Sequence, residues 1–538
     1  MTRVLVADPL DEAGVERLRQ AGAEVDVRHD PDRAALLARI GEYDALVVRS
    51  ETRVDAAVLE AGKRLRVVGR AGTGVDNIDV EAATRRGVVV VNTPEANTVA
   101  AAEHALALML AVARRIPWAH HSLASERRWE RHRFMGVQLA GKTLGLVGLG
   151  RIGTEVARRA RAMGMTVVAH DPYVTGERAA QLGVELMDLD PMLERCDFVS
   201  IHCPLTPRTR HLLDASRLAR LRPTAYLVNC ARGGIVDEAA LARALAQGRL
   251  AGAALDVYET EPLPADSPLF GLPNVVMTPH LGASTREAQA SAARTVAEEV
   301  LRVLSGELPH SAVNLPSIPP ERWPRARHHV ELARRLGRAF AELFGPEAMA
   351  RLEIVYRGEL AHAPESGALT AAVLWGVLTP VMQEGVTLAS APVLARERGM
   401  EVVETHSHGA LKEQEAATGA LILLRSRPRG SDSAEVSVAG HVGDDGRPRL
   451  VAINGYRIDV EESGYLLVSS HQDRPGIIGK VGTILGQHQI NIAYMQVGRD
   501  RPGGHAVMVV GVDQEVPPGV VETLRRIPDL WDIRVVEW

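Results

Sequence analysis

The first hundred residues alternate between short apolar runs and amphipathic stretches. The amphipathic stretches, such as Glu12–Gln20 and Ala56–Gly62, predict helices. The apolar runs between them predict buried strands at residues 3–8, 45–49, 66–69 and 88–91. Alternation of strands and helices indicates a parallel sheet that is covered by helices.

The same alternation starts again after a long helical stretch at Thr98–Val112. Strands are predicted at residues 143–148, 166–170, 198–202, 226–229, 253–257 and 275–278. A helix at Ser284–Leu304 follows the last strand and is placed to return the chain to the first unit. The pattern therefore predicts two α/β domains of the flavodoxin or Rossmann kind, each with a doubly wound parallel sheet.

The alternation of strands and helices ends at the proline-rich segment Asn314–Pro320. This segment cannot continue a helix and is predicted to be a linker. Residues 321–455 mix helical and strand patterns and indicate an α+β domain. Tyr465–Trp538 follows the order strand, helix, strand, strand, helix, strand, which is typical of a small ferredoxin-like sandwich.

Length and charge limit the classes of function. A chain of 538 residues is too long for one core and predicts about three or four domains. Lys plus Arg total 62 against 67 Asp plus Glu, which gives a net charge of −5. Because this balance provides no overall basic field, we expect no nucleic-acid partner.

The cysteines and the apolar stretches add further expectations. Cys196, Cys203 and Cys230 are too few for a disulfide framework, and none lies in a CxxC pair. The two histidines of His406-Ser-His408 have no further ligand nearby, so we expect no metal site. The N-terminus has no signal-peptide profile, and the apolar stretch 100–116 is shorter than a membrane span. These features favour a cytoplasmic protein without a membrane partner.

A glycine-rich turn follows the predicted strand at 143–148, in the pattern Gly148-x-Gly150-x-x-Gly153. The pattern alone is weak, but here a strand precedes it and a helical stretch follows it. Gly148 allows the tight turn, Gly150 lets a pyrophosphate approach the backbone, and Gly153 lets helix and strand pack closely. Asp171 ends the next strand and is placed to accept hydrogen bonds from an adenosine ribose, which favours NAD over NADP.

Polar residues follow three later strands of the second unit, where ligands bind in open α/β sheets. His280 is predicted to take the hydroxyl proton when an alcohol is oxidised by NAD. Glu261 would fix the ring and favour its protonated form, and Arg232 would grip a substrate carboxylate with its planar fork. Asp256 either serves the nicotinamide end of NAD or is a buried aspartate that accepts from loop amides.

Each of these residues also has an ordinary structural interpretation. A histidine at a strand end is commonly a satisfied structural residue, an arginine a salt-bridge partner, and a glutamate before proline a turn residue. Their joint occurrence behind a nucleotide-binding pattern favours catalysis. A non-catalytic NAD-binding regulator with the same fold is the alternative from another class.

The segments Gly148–Gly153, Asn229–Glu238, Asp256–Pro262 and His280–Thr285 resemble the signatures of the D-isomer-specific 2-hydroxyacid dehydrogenases. Gly69–Asn77 and Trp129–Gly136 resemble that family as well, and the resemblance covers essentially the whole chain. It implies a substrate-binding domain formed by residues 1–97 and 285–313, and an NAD-binding domain at 98–284. It also implies that five further residues lie along NAD, namely Thr73, Arg151, Ile152, Cys203 and Ala231.

The resemblance to the long-form members of this family implies a phosphorylated substrate. Oxidation of 3-phospho-D-glycerate to 3-phosphooxypyruvate, the first step of L-serine biosynthesis, is the expected reaction. Arg49 and Arg70 match the substrate-side arginines of the family, and Arg131 and Arg133 lie where a neighbouring subunit is expected to reach the site. A glyoxylate or hydroxypyruvate reductase is the alternative within the family, although such enzymes as a rule lack the segment after residue 316.

The C-terminal half resembles the regulatory part of the same long form. Residues 317–455 resemble its allosteric-substrate-binding domain, and residues 465–538 resemble an ACT domain. The second resemblance rests on His471–Lys480 and Gln489–Ile492. It implies an L-serine site containing His471, Asp473, Pro475 and Asn491, in a homotetramer. The alternative for Asp473 is that it only caps the following helix.

Overall fold

The computed structural model describes residues 2–28, 33–316, 318–319, 321–382, 385–407, 420–427, 434–461 and 464–538. Four sheets organise these residues, and the predicted fold class of two doubly wound parallel domains, a mixed domain and a ferredoxin-like domain is confirmed. His408 and Ser317 lie outside the described residues.

The first sheet is parallel, with strand order β2-β1-β3-β4-β5, the order of a flavodoxin-like domain. Its strands are β1 (Arg3–Val6), β2 (Glu24–Val27), β3 (Ala45–Val48), β4 (Val67–Arg70) and β5 (Val89–Val91). Its helices are α1 (Glu12–Gln20), α2 (Arg33–Arg39), α3 (Ala56–Ala61) and α4 (Val80–Arg85). The apolar runs predicted four of these strands. Strand β2 was not predicted, because its sequence Glu-Val-Asp-Val lies half-exposed at the sheet edge.

The second sheet is also parallel, with order β12-β11-β10-β9-β6-β7-β8. Its strands are β6 (Thr143–Val147), β7 (Thr166–His170), β8 (Glu185–Leu186), β9 (Phe198–Ile201), β10 (Tyr226–Asn229), β11 (Gly252–Leu255) and β12 (Val275–Met277). Its helices are α5 (Thr98–Ala113), α6 (Ile116–Ala124), α7 (Arg151–Ala162), α8 (Gly176–Gln181), α9 (Leu189–Arg195), α10 (Ala215–Leu218) and α11 (Glu238–Ala246). The strand order reverses at β6 and β9, so the crevice for a ligand lies at the carboxyl end of β6.

Helix α12 (Arg286–Ser305) leaves the second sheet and packs against the first. Thr285 caps its N-terminus by accepting from the Ala288 amide, and Gly306 ends it in the left-handed conformation. Val296 and Val300 pack so closely on Gly69 of β4 that a Cβ at residue 69 would lie 2.7 Å from each of them. The two parallel sheets are thus joined by α5 in one direction and by α12 in the other.

The third sheet is mixed, with order β14-β13-β15-β16-β17-β18. Its strands are β13 (Arg351–Gly358), β14 (Glu401–Ser407), β15 (Ala420–Ser426), β16 (Val436–Val442), β17 (Pro448–Ile453) and β18 (Tyr456–Val460), and its helices are α13 (Trp323–Phe344), α14 (Pro346–Met349), α15 (Ser366–Leu378) and α16 (Ala391–Glu397). Helices α13 and α15 cross at Gly337 and Gly376, where an added Cβ would collide with the backbone of the other helix. Their apolar faces form one core with the sheet.

The fourth sheet is antiparallel, with order β20-β21-β19-β22. Its elements are β19 (Tyr465–Gln472), α17 (Ile477–Gln487), β20 (Ile492–Arg499), β21 (His505–Val512), α18 (Pro518–Leu524) and β22 (Leu530–Glu537). One face of this sheet packs on α17 and α18. The other face joins the core of the third sheet through Leu466, Val509 and Trp538. The last two domains therefore share a continuous apolar core.

Membrane spans and metal clusters are both absent from the described residues. No helix among them is long and apolar enough to span a membrane. Nor does this part of the chain group three or more His, Cys, Asp or Glu side chains in a way that would hold a metal ion. His406 uses Nδ1 at 3.2 Å from the Ala361 carbonyl oxygen.

Candidate active site

The glycine-rich turn connects β6 to α7, and each of its glycines meets a different requirement. Gly148 has a φ of 100°, and an added Cβ would lie 2.8 Å from the His202 carbonyl. Gly153 faces the Gly148 carbonyl too closely for any side chain. Nothing lies within 4 Å of a Cβ added at Gly150. The backbone is therefore open at Gly150, where a pyrophosphate would approach the start of α7.

Asp171 follows β7 and lies beside this turn. Its Oδ2 accepts from the Leu149 amide at 2.8 Å, and its Oδ1 accepts from the Tyr173 amide at 2.9 Å. The carboxylate is half-buried and keeps lone pairs free, since each oxygen can accept more than one hydrogen bond. The turn and Asp171 together fit the pyrophosphate and the ribose of NAD.

Two polar residues that were expected along NAD are already paired. Thr73 donates its hydroxyl to Asn97 Oδ1 at 2.8 Å. The guanidinium of Arg151 lies 3.6 Å from the Glu95 carboxylate and is largely exposed. Both pairs lie where the first domain meets the second, and a dinucleotide contact by either side chain stays a prediction.

The remaining three residues expected along NAD are less polar. Burial raises the pKa of the Cys203 thiol to about 11, so this side chain is a neutral thiol at pH 7. Ile152 is half-buried against the core of the second domain. The Ala231 amide donates to Asn229 Oδ1 at 3.1 Å, which shapes the loop that carries Arg232.

Glu261 and His280, which the sequence suggested as an acid/base pair, are in direct contact. Oε2 of Glu261 lies 2.7 Å from Nδ1 of His280, and Oε1 accepts from the Tyr258 amide at 3.0 Å. Burial would raise the pKa of Glu261, but the His280 and Tyr258 donors outweigh it and hold that pKa below its ordinary value. Because a carboxylate only accepts, Nδ1 of His280 carries the hydrogen, and Nε2 takes no part in this contact.

The backbone of His280 is held in an unusual conformation. Its φ of 53° is uncommon for a residue other than glycine. Its amide donates to the Asp256 carbonyl at 2.9 Å, which fixes this conformation from the end of β11. The imidazole is half-exposed in a cleft of about 530 Å³. Ser50 of the first domain lines the same cleft, so the cleft opens between the two parallel-sheet domains.

Asp256 lies beneath this pair and is fully buried. Its carboxylate accepts from the Leu281 amide at 2.7 Å, the Gly282 amide at 2.8 Å and the Thr278 hydroxyl at 2.6 Å. His104 Nε2 lies 3.1 Å away. Burial would raise the pKa of Asp256, yet these donors lower it. This geometry is that of an aspartate supporting the His280 loop, and a contact with NAD would require the exchange of one donor.

Arg70 lies near two further arginines, Arg49 and Arg232, where the two parallel-sheet domains meet. Arg232 reaches from the second domain to Asp76 of the first, with Nε 3.2 Å from Oδ2. Arg70 has a buried Nε without a partner among the described residues. Burial first, then the charge of Arg232, lower the pKa of Arg70 to about 10, while Asp76 opposes them. Arg49 also acts on Arg70 by charge repulsion. A concentration of positive charge of this kind attracts an anion with several charges.

Arg49 is held in place by its backbone. Its amide donates to Asp8 Oδ2 at 2.6 Å, and its carbonyl accepts from Asn77 Nδ2 at 2.8 Å. Asp8 is buried and also binds Thr52. Asp8 and Asp76 have no distinguishing signal in the local sequence, because each acts through a contact with a residue far away in the chain.

Arg131 and Arg133 do not join the three arginines within the described chain. They lie in an exposed 3-10 turn, Arg131–Phe134, and Arg133 pairs with Glu130 at 2.9 Å. Trp129 and Met135 flank this turn and are each 78% exposed. Their contribution to the site of a neighbouring subunit stays a prediction.

The predicted effector residues of the fourth domain are placed separately. Asp473 Oδ2 accepts from the Gly503 amide at 3.0 Å and from Arg499 at 3.1 Å, and these donors lower its pKa. Asn491 donates to Asp513 at 2.6 Å. The alternative that Asp473 caps α17 is wrong, because Gly476, at a φ of 92°, occupies the cap position without a side-chain bond.

The other two predicted effector residues differ in exposure. His471 is buried, and burial lowers its pKa. Its Nδ1 has no partner among the described residues. Pro475 is exposed at the entrance to α17.

The sheet order, the glycine turn and the Glu261–His280 pair define a nucleotide-dependent dehydrogenase acting on a hydroxy acid. Comparison with known families agrees with this class. Residues 106–282 match the family model described as the D-isomer specific 2-hydroxyacid dehydrogenase, NAD binding domain. Residues 325–454 match the D-3-phosphoglycerate dehydrogenase intervening domain, and residues 464–529 match the ACT domain.

Similar proteins identify the branch of the family. The D-3-phosphoglycerate dehydrogenase of Methanocaldococcus jannaschii is 43% identical over 537 residues, covering 100% of both chains. The enzyme of the same name from Mycobacterium tuberculosis is 44% identical over 544 residues, covering 99% of both chains. The chain belongs to the D-3-phosphoglycerate dehydrogenase family.

Solved structures are similar to more than half of the chain. The TT0316 protein of Thermus thermophilus is 42% identical, with a TM-score of 0.54, and covers 58% of this chain and 100% of its own. A glyoxylate/hydroxypyruvate reductase of Sinorhizobium meliloti, solved with NADP and malonate, is 32% identical with a TM-score of 0.53 and covers 58% of this chain and 96% of its own.

Proposed function

We propose that this chain catalyses the reversible oxidation of 3-phospho-D-glycerate to 3-phosphooxypyruvate by NAD, the first step of L-serine biosynthesis. The observation that carries the proposal is the Glu261–His280 pair, 2.7 Å apart, in a cleft between the two parallel-sheet domains. The full-length relatives named D-3-phosphoglycerate dehydrogenase support the choice of substrate.

The cofactor and the acid/base pair divide the chemistry. The Gly148–Gly153 turn and Asp171 would hold NAD, which would supply a hydride acceptor for the carbon that carries the hydroxyl. Nε2 of His280 takes the hydroxyl proton during oxidation and returns it during reduction. Glu261 holds the imidazole through Nδ1 and stabilises the imidazolium that forms, because its own pKa is lowered and it stays ionised.

The arginines bind the two anionic ends of the substrate. Arg232 takes the carboxylate through its guanidinium fork, which also polarises the neighbouring oxygen. Arg49 and Arg70 take the phosphate, and Arg131 and Arg133 of a neighbouring subunit add to them. Arg70 supports this assignment because its buried Nε lacks a partner in the described structure. A buried donor without a partner costs free energy that an incoming anion recovers.

The regulatory half acts on the same reaction in a homotetramer of the cytoplasm. L-serine binds the fourth domain at His471, Asp473, Pro475 and Asn491 and inhibits turnover. An amino acid needs an acceptor for its ammonium group and donors for its carboxylate. Asp473 supplies an acceptor, and the side-chain amide of Asn491 supplies a donor. The shared apolar core of the third and fourth domains supports transmission of this signal toward the catalytic domains.

Turnover with NAD tests the proposal against its competitors. We expect reduction of NAD with 3-phospho-D-glycerate and little with D-glycerate. Preferential activity on glyoxylate or hydroxypyruvate would indicate the reductase alternative. No activity on any hydroxy acid, with NAD still bound, would indicate a non-catalytic regulator.

A further inference from the structure

The loop between β4 and α4 encloses two arginines from different domains. A Cβ at Gly72 would collide with the guanidinium of Arg70. A Cβ at Gly74 would collide with the guanidinium of Arg232 and lie 2.7 Å from Asp76 Oδ2. Both guanidinium groups therefore lie against this loop, and Asp76 is the acidic side chain of the loop that pairs with Arg232.

Asp76 uses one particular edge of Arg232. Its Oδ2 lies 3.2 Å from Nε, and the Ala231 carbonyl accepts from Nη1 at 2.7 Å. Within the described structure, no hydrogen bond is made by Nη2. Since the guanidinium has five donors, one hydrogen on Nη1 and both on Nη2 remain for a ligand. Those donors form the end of the fork that suits a carboxylate.

The position of the Asp76 carboxylate favours a role in the site over a role in the stability of the fold. Its side chain is 71% exposed, so its ion pair with Arg232 contributes little to the free energy of unfolding. Its charge nevertheless acts on Arg70 as well as on Arg232. The contact joins residues that are 156 positions apart, on the two domains that form the cleft.

We propose that Asp76 is the positioning residue of Arg232. It holds the guanidinium across the cleft by Nε, so that Nη1 and Nη2 point to the substrate carboxylate. It also offsets part of the positive charge of Arg70 and Arg232, which limits how tightly an anion is held. The proposal rests on the proposed function, because it assigns the carboxylate of the substrate to Arg232.

These two roles predict that removal of the charge lowers kcat without raising KM. In Asp76→Asn, Arg232 loses its anchor, and kcat falls about tenfold to 100-fold because misplaced groups lose the productive geometry. KM for 3-phospho-D-glycerate does not rise, because one negative charge has been removed beside two arginines. For the same reason, inorganic phosphate inhibits the variant at lower concentration than it inhibits the wild type.

Two further variants separate positioning from a structural effect. Asp76→Glu retains the charge and is expected to recover more of kcat than Asp76→Asn does. Asp79→Asn is the matched control, because Asp79 lies in the same loop and accepts from the Ala82 amide to cap α4. It is expected to keep the kinetics of the wild type. The melting temperature of Asp76→Asn should match that of the wild type.

Steady-state kinetics of these variants tests the inference. It is overturned if Asp76→Asn keeps kcat within twofold, if its KM for 3-phospho-D-glycerate rises, or if Asp79→Asn shows the same loss of kcat. Calorimetric binding of inorganic phosphate gives a second readout that does not need turnover. If the wild type fails to oxidise 3-phospho-D-glycerate, the proposed function fails. Tighter phosphate binding by Asp76→Asn would then still support the role of its charge, and equal or weaker binding would overturn it.

Discussion

The catalytic cleft and the predicted effector site differ in how complete they are within one chain. In the cleft, Glu261 contacts His280 directly, and Arg232 reaches the opposite domain. In the fourth domain, Asp473 and Asn491 are bound by other side chains, and no hydrogen bond joins them in the described structure. Folding of a single chain therefore brings the proposed catalytic groups together, whereas the proposed serine site needs a rearrangement or a second chain.

The largest effect on turnover is expected from replacement of His280, the proposed general base. His280→Ala should lower kcat by roughly 10²- to 10⁴-fold, because a positioned general base contributes about that much. Stopped-flow or steady-state reduction of NAD measures the loss. His310→Ala is a control in which a histidine outside the cleft is removed. Near wild-type turnover by His280→Ala would contradict the assignment of the cleft.

A smaller effect is expected from the residue that supports the cleft from below. Asp256→Asn leaves a buried donor facing other donors, and it should lower the free energy of unfolding by about 1–3 kcal/mol. The pKa of Asp256 is lowered in the folded protein. Its stabilising contribution is therefore present above the ordinary pKa of aspartate and is lost as the pH falls through the lowered value.

Urea unfolding at pH 7 and at successively lower pH measures this contribution. The difference between the wild type and Asp256→Asn should narrow as the pH falls. Asp266→Asn, at an exposed position, is the control and should change little at any pH. A difference that stays constant down to the acid limit would mean that the charge of Asp256 does not stabilise the fold.

The effector site should show a change in regulation without a change in basal turnover. Asn491→Ala is expected to raise the L-serine concentration for half-inhibition about tenfold, as expected for the loss of one hydrogen bond to a charged group. Gln487→Ala, at an exposed position of α17, should respond as the wild type does. Unchanged inhibition in Asn491→Ala would remove Asn491 from the site, and no serine effect on the wild type would remove the site itself.

The smallest effect is expected from the exposed turn. Arg133→Ala should raise KM for 3-phospho-D-glycerate only severalfold, since Arg49, Arg70 and Arg131 remain. If the turn serves a neighbouring subunit, this effect should vanish when dilution dissociates the assembly. An effect that is the same for the dissociated subunit would place Arg133 in its own chain's site.

The sequence predicted most of the two parallel sheets because buried strands carry uninterrupted apolar runs. Strands β2 and β8 were not predicted, because β2 is half-exposed and β8 has only two residues. The part of the site that could be predicted also carries a local signal. Gly148, Gly150 and Gly153 lie in one local pattern, with steric requirements that a six-residue stretch displays.

Contacts between distant residues left no such signal. Asp76 and Arg232 come from different domains, and nothing in their local sequences shows that they meet. The capping alternative for Asp473 was wrong for a related reason. Its partners, Arg499 and Gly503, lie 26 and 30 residues further along the chain. The N-cap position of α17 is taken by Gly476, which is close to Asp473 in sequence.

The proposed reaction depends most on recognition of the substrate phosphate by Arg49 and Arg70. The most direct measurement is the ratio of kcat/KM for 3-phospho-D-glycerate to that for D-glycerate, in the wild type and in Arg70→Met. A wild-type ratio of roughly 10² to 10⁴ is expected from two charge-assisted contacts of about 1.5–3 kcal/mol each. In Arg70→Met the ratio should fall at least tenfold. A wild-type ratio near one, or a ratio unchanged in Arg70→Met, would contradict the account.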